Sequence, residues 1–190
     1  MIDYLCIMLV SIASGLVVLA LYLHRRPLAA ERPEWAMGFA APGFLALVTG
    51  LPMVLVWPLP GSYNIAFGEP ALFYGVVFLA ASHSVARRSD PILPGVIGLF
   101  GSATAILIGL RLWDLGLTDI PWLAALAYVA AGLGGLLALP ALLRPGALWL
   151  SRGASVFLVL GAGVLAVTGG AAYWQHLQGF VSWLPFTMQR

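Results

Sequence analysis

Residues 122–174 read WLAALAYVAAGLGGLLALPALLRPGALWLSRGASVFLVLGAGVLAVTGGAAYW, two apolar runs, Trp122 to Leu143 and Gly153 to Trp174, whose joint carries Arg144 and Arg152. Neither run holds an Asp, Glu, Lys or Arg. At about 1.5 Å of rise per residue, each is as long in helical form as the hydrocarbon core of a bilayer is thick. Hydrocarbon offers backbone N–H and C=O groups no partner outside the segment, so such runs cross as helices. The same pattern recurs toward the N-terminus in Ile2 to Leu23, Trp35 to Trp57, Pro70 to Ala86 and Ile92 to Leu112. With 62% hydrophobic and 8% charged residues, little polar material is left for a water-soluble domain. The fold expected is all-α: a polytopic integral membrane protein with six transmembrane helices in one bundle over residues 1–174.

Charge orients the bundle. Arg25, Arg26, Arg32, Arg87, Arg88, Arg144 and Arg152 fall in the first, third and fifth joints, whereas the other joints and the two ends hold only Arg111 and Arg190, beside Asp3, Glu69, Asp114 and Asp119. Arginine is retained on the cytoplasmic side of short loops, so both termini are expected outside the cytoplasm. The first span opens with Asp3 and carries its basic cluster afterward, unlike a cleavable leader, and is expected to stay as an anchor. After the sixth span, residues 175–190 mix Phe180, Trp183 and Phe186 with Gln and Ser, suiting an interfacial segment that Pro185 would interrupt.

Helices in lipid associate through close packing of small residues. Ala127, Ala131 and Gly135 recur at intervals of four in the fifth span, as do Ala162, Ala166 and Gly170 in the sixth, which predicts a tight seam within the bundle or between subunits of a homo-oligomer. Pro42 and Pro52 lie inside the second span, where each removes a backbone hydrogen bond and favours a kink beside a cavity.

Polar chemistry is sparse. There is no HExxH, CxxC, GxSxG or phosphate-binding glycine loop and no pair of intramembrane carboxylates, which argues against an enzyme. His24, His83 and His176 fall at different places in the topology, so no shared metal site or cofactor is expected. No basic stripe interleaved with aromatics points to nucleic acid. Arg111 and Asp114, three residues apart, are expected to form a structural ion pair. Tyr63-Asn64-Ile65-Ala66-Phe67-Gly68-Glu69-Pro70 is the most polar approach to a span. Pro70 fits a first helical turn, which makes Glu69 either a cap facing the positive helix end or, with Tyr63 and Asn64, the mouth of a solute pathway. Tyr74, His83 and, from the fifth span, Tyr128 complete the candidate lining.

That octapeptide, followed by Phe73-Tyr74-Gly75, resembles a family of small bacterial and archaeal membrane proteins known only as a domain of unknown function. More distantly, the segment running on into Ala80-Ala81-Ser82-His83 is similar to the third helix of the AmiS/UreI urea and short-amide channels. This resemblance implies six helices, both termini outside the cytoplasmic membrane of a prokaryote, and a homo-oligomer whose subunits each enclose a pore. The carboxylate those channels carry in the last helix has no counterpart in Gly153 to Trp174. Two functions follow as expectations: a passive channel or facilitator for a small neutral solute, urea- or amide-like by resemblance, or a non-catalytic accessory subunit of a larger membrane complex.

Overall fold

The computed structural model describes residues 4–184. Six helices form where the apolar runs lie: α1 (Leu5–Arg25), α2 (Ala36–Val56), α3 (Glu69–Ala86), α4 (Ile92–Leu115), α5 (Pro121–Leu143) and α6 (Leu148–Gly179). All six are long and apolar enough to cross a membrane. A single 3-10 turn, Arg32–Trp35, leads into α2, and a π-helical turn, Asn64–Gly68, leads into α3.

The helices run up and down in chain order and close into a ring, each packed on the next and α6 back on α1. Closure is visible at both ends of the α1–α6 pair. Ser155 Oγ donates to the Ala20 carbonyl at 2.9 Å, and Cys6 Sγ lies 3.4 Å from His176 Nδ1, so these two helices are antiparallel. The main core runs through α1, α5 and α6 around Leu16, Ala127, Ala154 and Leu158. A second core joins α1, α2 and α3 through the edge-on rings of Tyr22, Phe39 and Phe78. Between α3 and α4 the packing is the loosest of the six seams.

The three arginine-bearing joints meet at one end of the ring. Arg32 pairs with Asp90 at 2.7 Å and donates to the Arg88 carbonyl at 3.1 Å, and Arg26 reaches the Ser151 hydroxyl. Arg111 and Asp114 form their ion pair at the opposite end, with both side chains more than half exposed.

Three features differ from the sequence expectation. Backbone before Pro70 is already helical: Glu69 has φ −65° and ψ −46°, no side chain caps the helix, and the Glu69 side chain is exposed. Helix α6 begins five residues before Gly153 and continues through Gly179, so the first part of the expected surface segment is helix; Pro185, Phe186 and Arg190 lie outside the described residues, as do Ile2 and Asp3. At 32 residues, α6 is about 48 Å long, more than the hydrocarbon core of a bilayer is thick. Of the α6 stripe, expected to pack within the bundle or between subunits, Ala162 is buried within the chain, whereas Ala166 is exposed and Gly170 has open space around it, so only the first serves a seam inside the bundle. The contact instead runs through Gly161, where an added Cβ would stand 2.9 Å from the Ala131 nitrogen, and Gly169, which faces α1. A turn of helix advances 100° per residue, so spacing by four drifts off a face that spacing alternately by three and four keeps.

Candidate functional site

The ring surrounds a partly open cavity of about 170 Å3 with walls from all six helices. Its lining on α5 extends from Ala127 to Leu142, about 22 Å along the axis, so the space is elongated in the direction of a crossing. The wall is mostly apolar, and the lining residues with polar side chains are Tyr74, Tyr128 and Ser102.

Each hydroxyl is held by a backbone carbonyl. The Tyr74 ring stacks on Phe78 with centroids 4.0 Å apart, and its hydroxyl donates to the Ile12 carbonyl at 3.2 Å. It fits because position 15 is glycine: a Cβ there would overlap the Tyr74 oxygen. Tyr128 donates to the Ala66 carbonyl at 2.8 Å. Pro70, four residues on, has no N–H with which to give that carbonyl an α-helical bond. Ser102 bonds the Gly98 carbonyl of its own helix at 2.7 Å and sits against Gly135.

Of the residues singled out in the sequence, Tyr74 and Tyr128 are brought together on the cavity wall. Tyr63 is half-buried, and its ring stacks with Phe67, which in turn meets Tyr128 edge-on, so an aromatic column links the loop before α3 to the cavity. Asn64 is fully buried, and its amide closes the loop upon itself: it accepts from the Leu59 N–H at 3.0 Å and donates to the Leu59 and Gly61 carbonyls. Glu69 and His83 are exposed on the outside of α3, away from the cavity lining. Ala127 and Ala131 do line the cavity while packing on α6, and Gly135 faces Ser102 of α4.

Sequence reasoning missed Gly98, Gly101 and Ser102, small residues in the cavity lining, and Gly15, which makes room for the Tyr74 hydroxyl. The available signal was the recurrence of small residues on α4 at Gly95, Gly98, Gly101, Ser102 and Ala105. It also missed the Cys6–His176 contact, which joins the first and last helices across the whole chain length. Among the described residues no group of three or more His, Cys, Asp or Glu side chains is placed to hold a metal ion.

A family model matches residues 1–179. The chain belongs to the family described as protein of unknown function (DUF981). That match spans all six helices and the cavity they surround, so the ring belongs to the family's domain rather than to an added segment. Neither the curated proteins nor the solved structures compared with the chain gave a match, and nothing in the comparisons ties it to the urea and short-amide channels.

Proposed function

We propose that this chain is a passive facilitator for a small neutral solute, which passes through the centre of its own six-helix ring. The observation that carries the reading is the elongated cavity lined by all six helices, with Tyr74, Ser102 and Tyr128 among its mostly apolar walls. An apolar wall presents a steep barrier to ions and a lower one to uncharged molecules. The hydrogens of Tyr74 and Tyr128 are spent on backbone carbonyls, so their oxygens offer lone pairs to a passing molecule. A solute with N–H or O–H donors on a compact body, such as a short amide or urea, suits that lining. No catalytic step, metal or cofactor is assigned. The arginine-rich end is assigned to the cytoplasm, which sets both chain ends outside a prokaryotic cytoplasmic membrane.

Helix α4 is the least covered of the six. Only 11% of its most apolar stretch is buried, against 50% for α1. In a homo-oligomer this face would meet a second copy; the second reading, an accessory subunit of a larger complex, would place a different membrane protein there. Purification in mild detergent separates the two: a symmetric homo-oligomer supports the facilitator, and stoichiometric co-purification with other subunits supports the accessory role.

The test is solute-driven swelling of proteoliposomes with urea, acetamide and glycerol. Gly98 lines the cavity with its nearest neighbour, a Val77 methyl carbon, 3.5 Å from a built Cβ, so Gly98→Leu fills the space without striking backbone. Flux of at least one solute is expected in the unaltered protein and is expected to fall severalfold in Gly98→Leu, while Glu69→Gln leaves it unchanged. Flux equal to that of empty liposomes, or indifferent to Gly98→Leu, would remove the reading.

A further inference from the structure

At the arginine-rich end lies a second cavity, about 240 Å3, between the α1–α2, α3–α4 and α5–α6 joints. Its walls include two guanidinium groups, Arg26 and Arg32, and one carboxylate, Asp90. Both arginines are half-buried, unlike Arg25, Arg87, Arg88, Arg144 and Arg152, which are exposed. Arg26 ends α1 in the left-handed conformation, φ 51°, which turns it back under the loops. There it meets only neutral partners, the Ser151 hydroxyl and the Ala147 carbonyl, so its charge has no counterion among the described residues. Arg32 is incompletely used as well. Asp90 takes Nη2, the Arg88 carbonyl takes Nη1, and Nε is buried without a partner. The Nε–Nη2 edge, which grips two oxygens at once in an ideal arginine–oxyanion pair, here holds one.

From this geometry we infer that the cavity between the three arginine-bearing joints is a binding site for one singly charged phosphodiester. Two cations and one carboxylate leave the walls with a net charge of +1, which a phosphodiester neutralises. Its two free oxygens match the Nε–Nη2 edge of Arg32, from which Asp90, a partly exposed side chain, swings aside. Arg26 supplies the second positive group. Basic pockets between transmembrane helices at this depth are suited to lipid headgroups, and the exposed Leu21, Leu28 and Leu143 beside the joints provide apolar cover for acyl chains. The same chemistry would also hold a water-soluble phosphodiester.

The experiment is a thermal-unfolding titration of the delipidated, detergent-solubilised protein with phosphatidylglycerol in mixed micelles. Parallel titrations use phosphatidylcholine, and glycerophosphoglycerol as the same headgroup without chains. A saturable rise in unfolding temperature with phosphatidylglycerol alone is expected, with the half-saturating concentration raised about fivefold in Arg26→Gln and in Arg32→Gln. Asp90→Asn, which frees the Arg32 edge, is expected to lower it; a purely structural Asp90 would leave it unchanged or unfold the protein. Arg26→Lys and Arg32→Lys keep the charge and guard against loss of folding, and are expected to bind with intermediate strength. An equal, arginine-dependent response to glycerophosphoglycerol would keep the site and make its ligand soluble. Absence of any response, or one that survives both Gln substitutions and vanishes in Arg87→Gln/Arg88→Gln, would overturn the inference in favour of diffuse surface charge.

Discussion

At the scale of single residues, the contact between Tyr128 and the Ala66 carbonyl shows how a missing backbone donor is compensated. Pro70 cannot serve that carbonyl, and the phenol from α5 does so at 2.8 Å. Tyr128→Phe is therefore expected to cost about 0.5–1.5 kcal/mol in detergent unfolding. Pro70→Ala restores an N–H at that position, so in its background Tyr128→Phe should cost less; a double-mutant cycle on unfolding free energies reads the difference. Asn64 gives a second prediction. Its amide both donates and accepts in the loop before α3, so Asn64→Asp, which lacks the donors, is expected to destabilise by about 1–3 kcal/mol. Pro70 and Asn64 were both conspicuous in the sequence, yet their partners were not. Pro70 is equally at ease in a first turn and just after a π-helical turn, and a buried Asn bonded to its own loop has the same sequence signature as one lining a pore. Glu69 and His83 escaped for a simpler reason: polarity near a span marks the membrane surface as readily as a pathway, and which way a side chain faces depends on a helix rotation that α3's nearly uniform apolarity does not fix.

At the scale of elements, the spans themselves were legible to within a few residues, because the need to bury about 20 apolar residues in hydrocarbon leaves little freedom. The seams were legible only in part. Ala127 and Ala162 are buried at the α5–α6 seam, but one close approach that intervals of four do not mark is α2 on α3, through glycines seven residues apart on each side: Gly43 and Gly50 on α2, and Gly68, at the end of the π-helical turn, with Gly75 on α3. A Cβ on Gly75 would come within 2.7 Å of the Leu47 nitrogen and 2.9 Å of the Gly43 carbonyl oxygen, both backbone atoms that cannot swing away. Gly75→Ala is thus expected to pry α2 from α3 and lower stability by about 1–3 kcal/mol. Gly170→Ala, in open space on α6, is the matched control and should change it by less than about 0.5 kcal/mol. A reading of intervals of four found α5 and α6 and passed over the interval of seven, which returns to the same helical face after two turns.

At the scale of the whole molecule, an even number of antiparallel helices brings Leu5 and Gly179 to one end of the ring and the three arginine-rich joints to the other, as the contact between Cys6 and His176 and the convergence of Arg26, Arg32 and Asp90 require. Both the central cavity and the arginine-lined cavity acquire direction only when one of these ends is assigned to the cytoplasm. Seven of the nine arginines lie in the converging joints, and an error in any single one would leave that majority intact. The assignment is testable because the single native cysteine, Cys6, is buried, so the chain serves as its own low-background parent for labelling. Cysteine placed at Gly146, in open space within the α5–α6 joint, is expected to react with a membrane-impermeant maleimide in inverted vesicles and not in intact cells. Cysteine at the exposed Ser62, in the α2–α3 joint, is expected to behave in the opposite way. Labelling of both positions from the same side would contradict the up-and-down ring itself, whereas an exchange of sides would keep the ring, invert it, and move the proposed phosphodiester site to the outer leaflet.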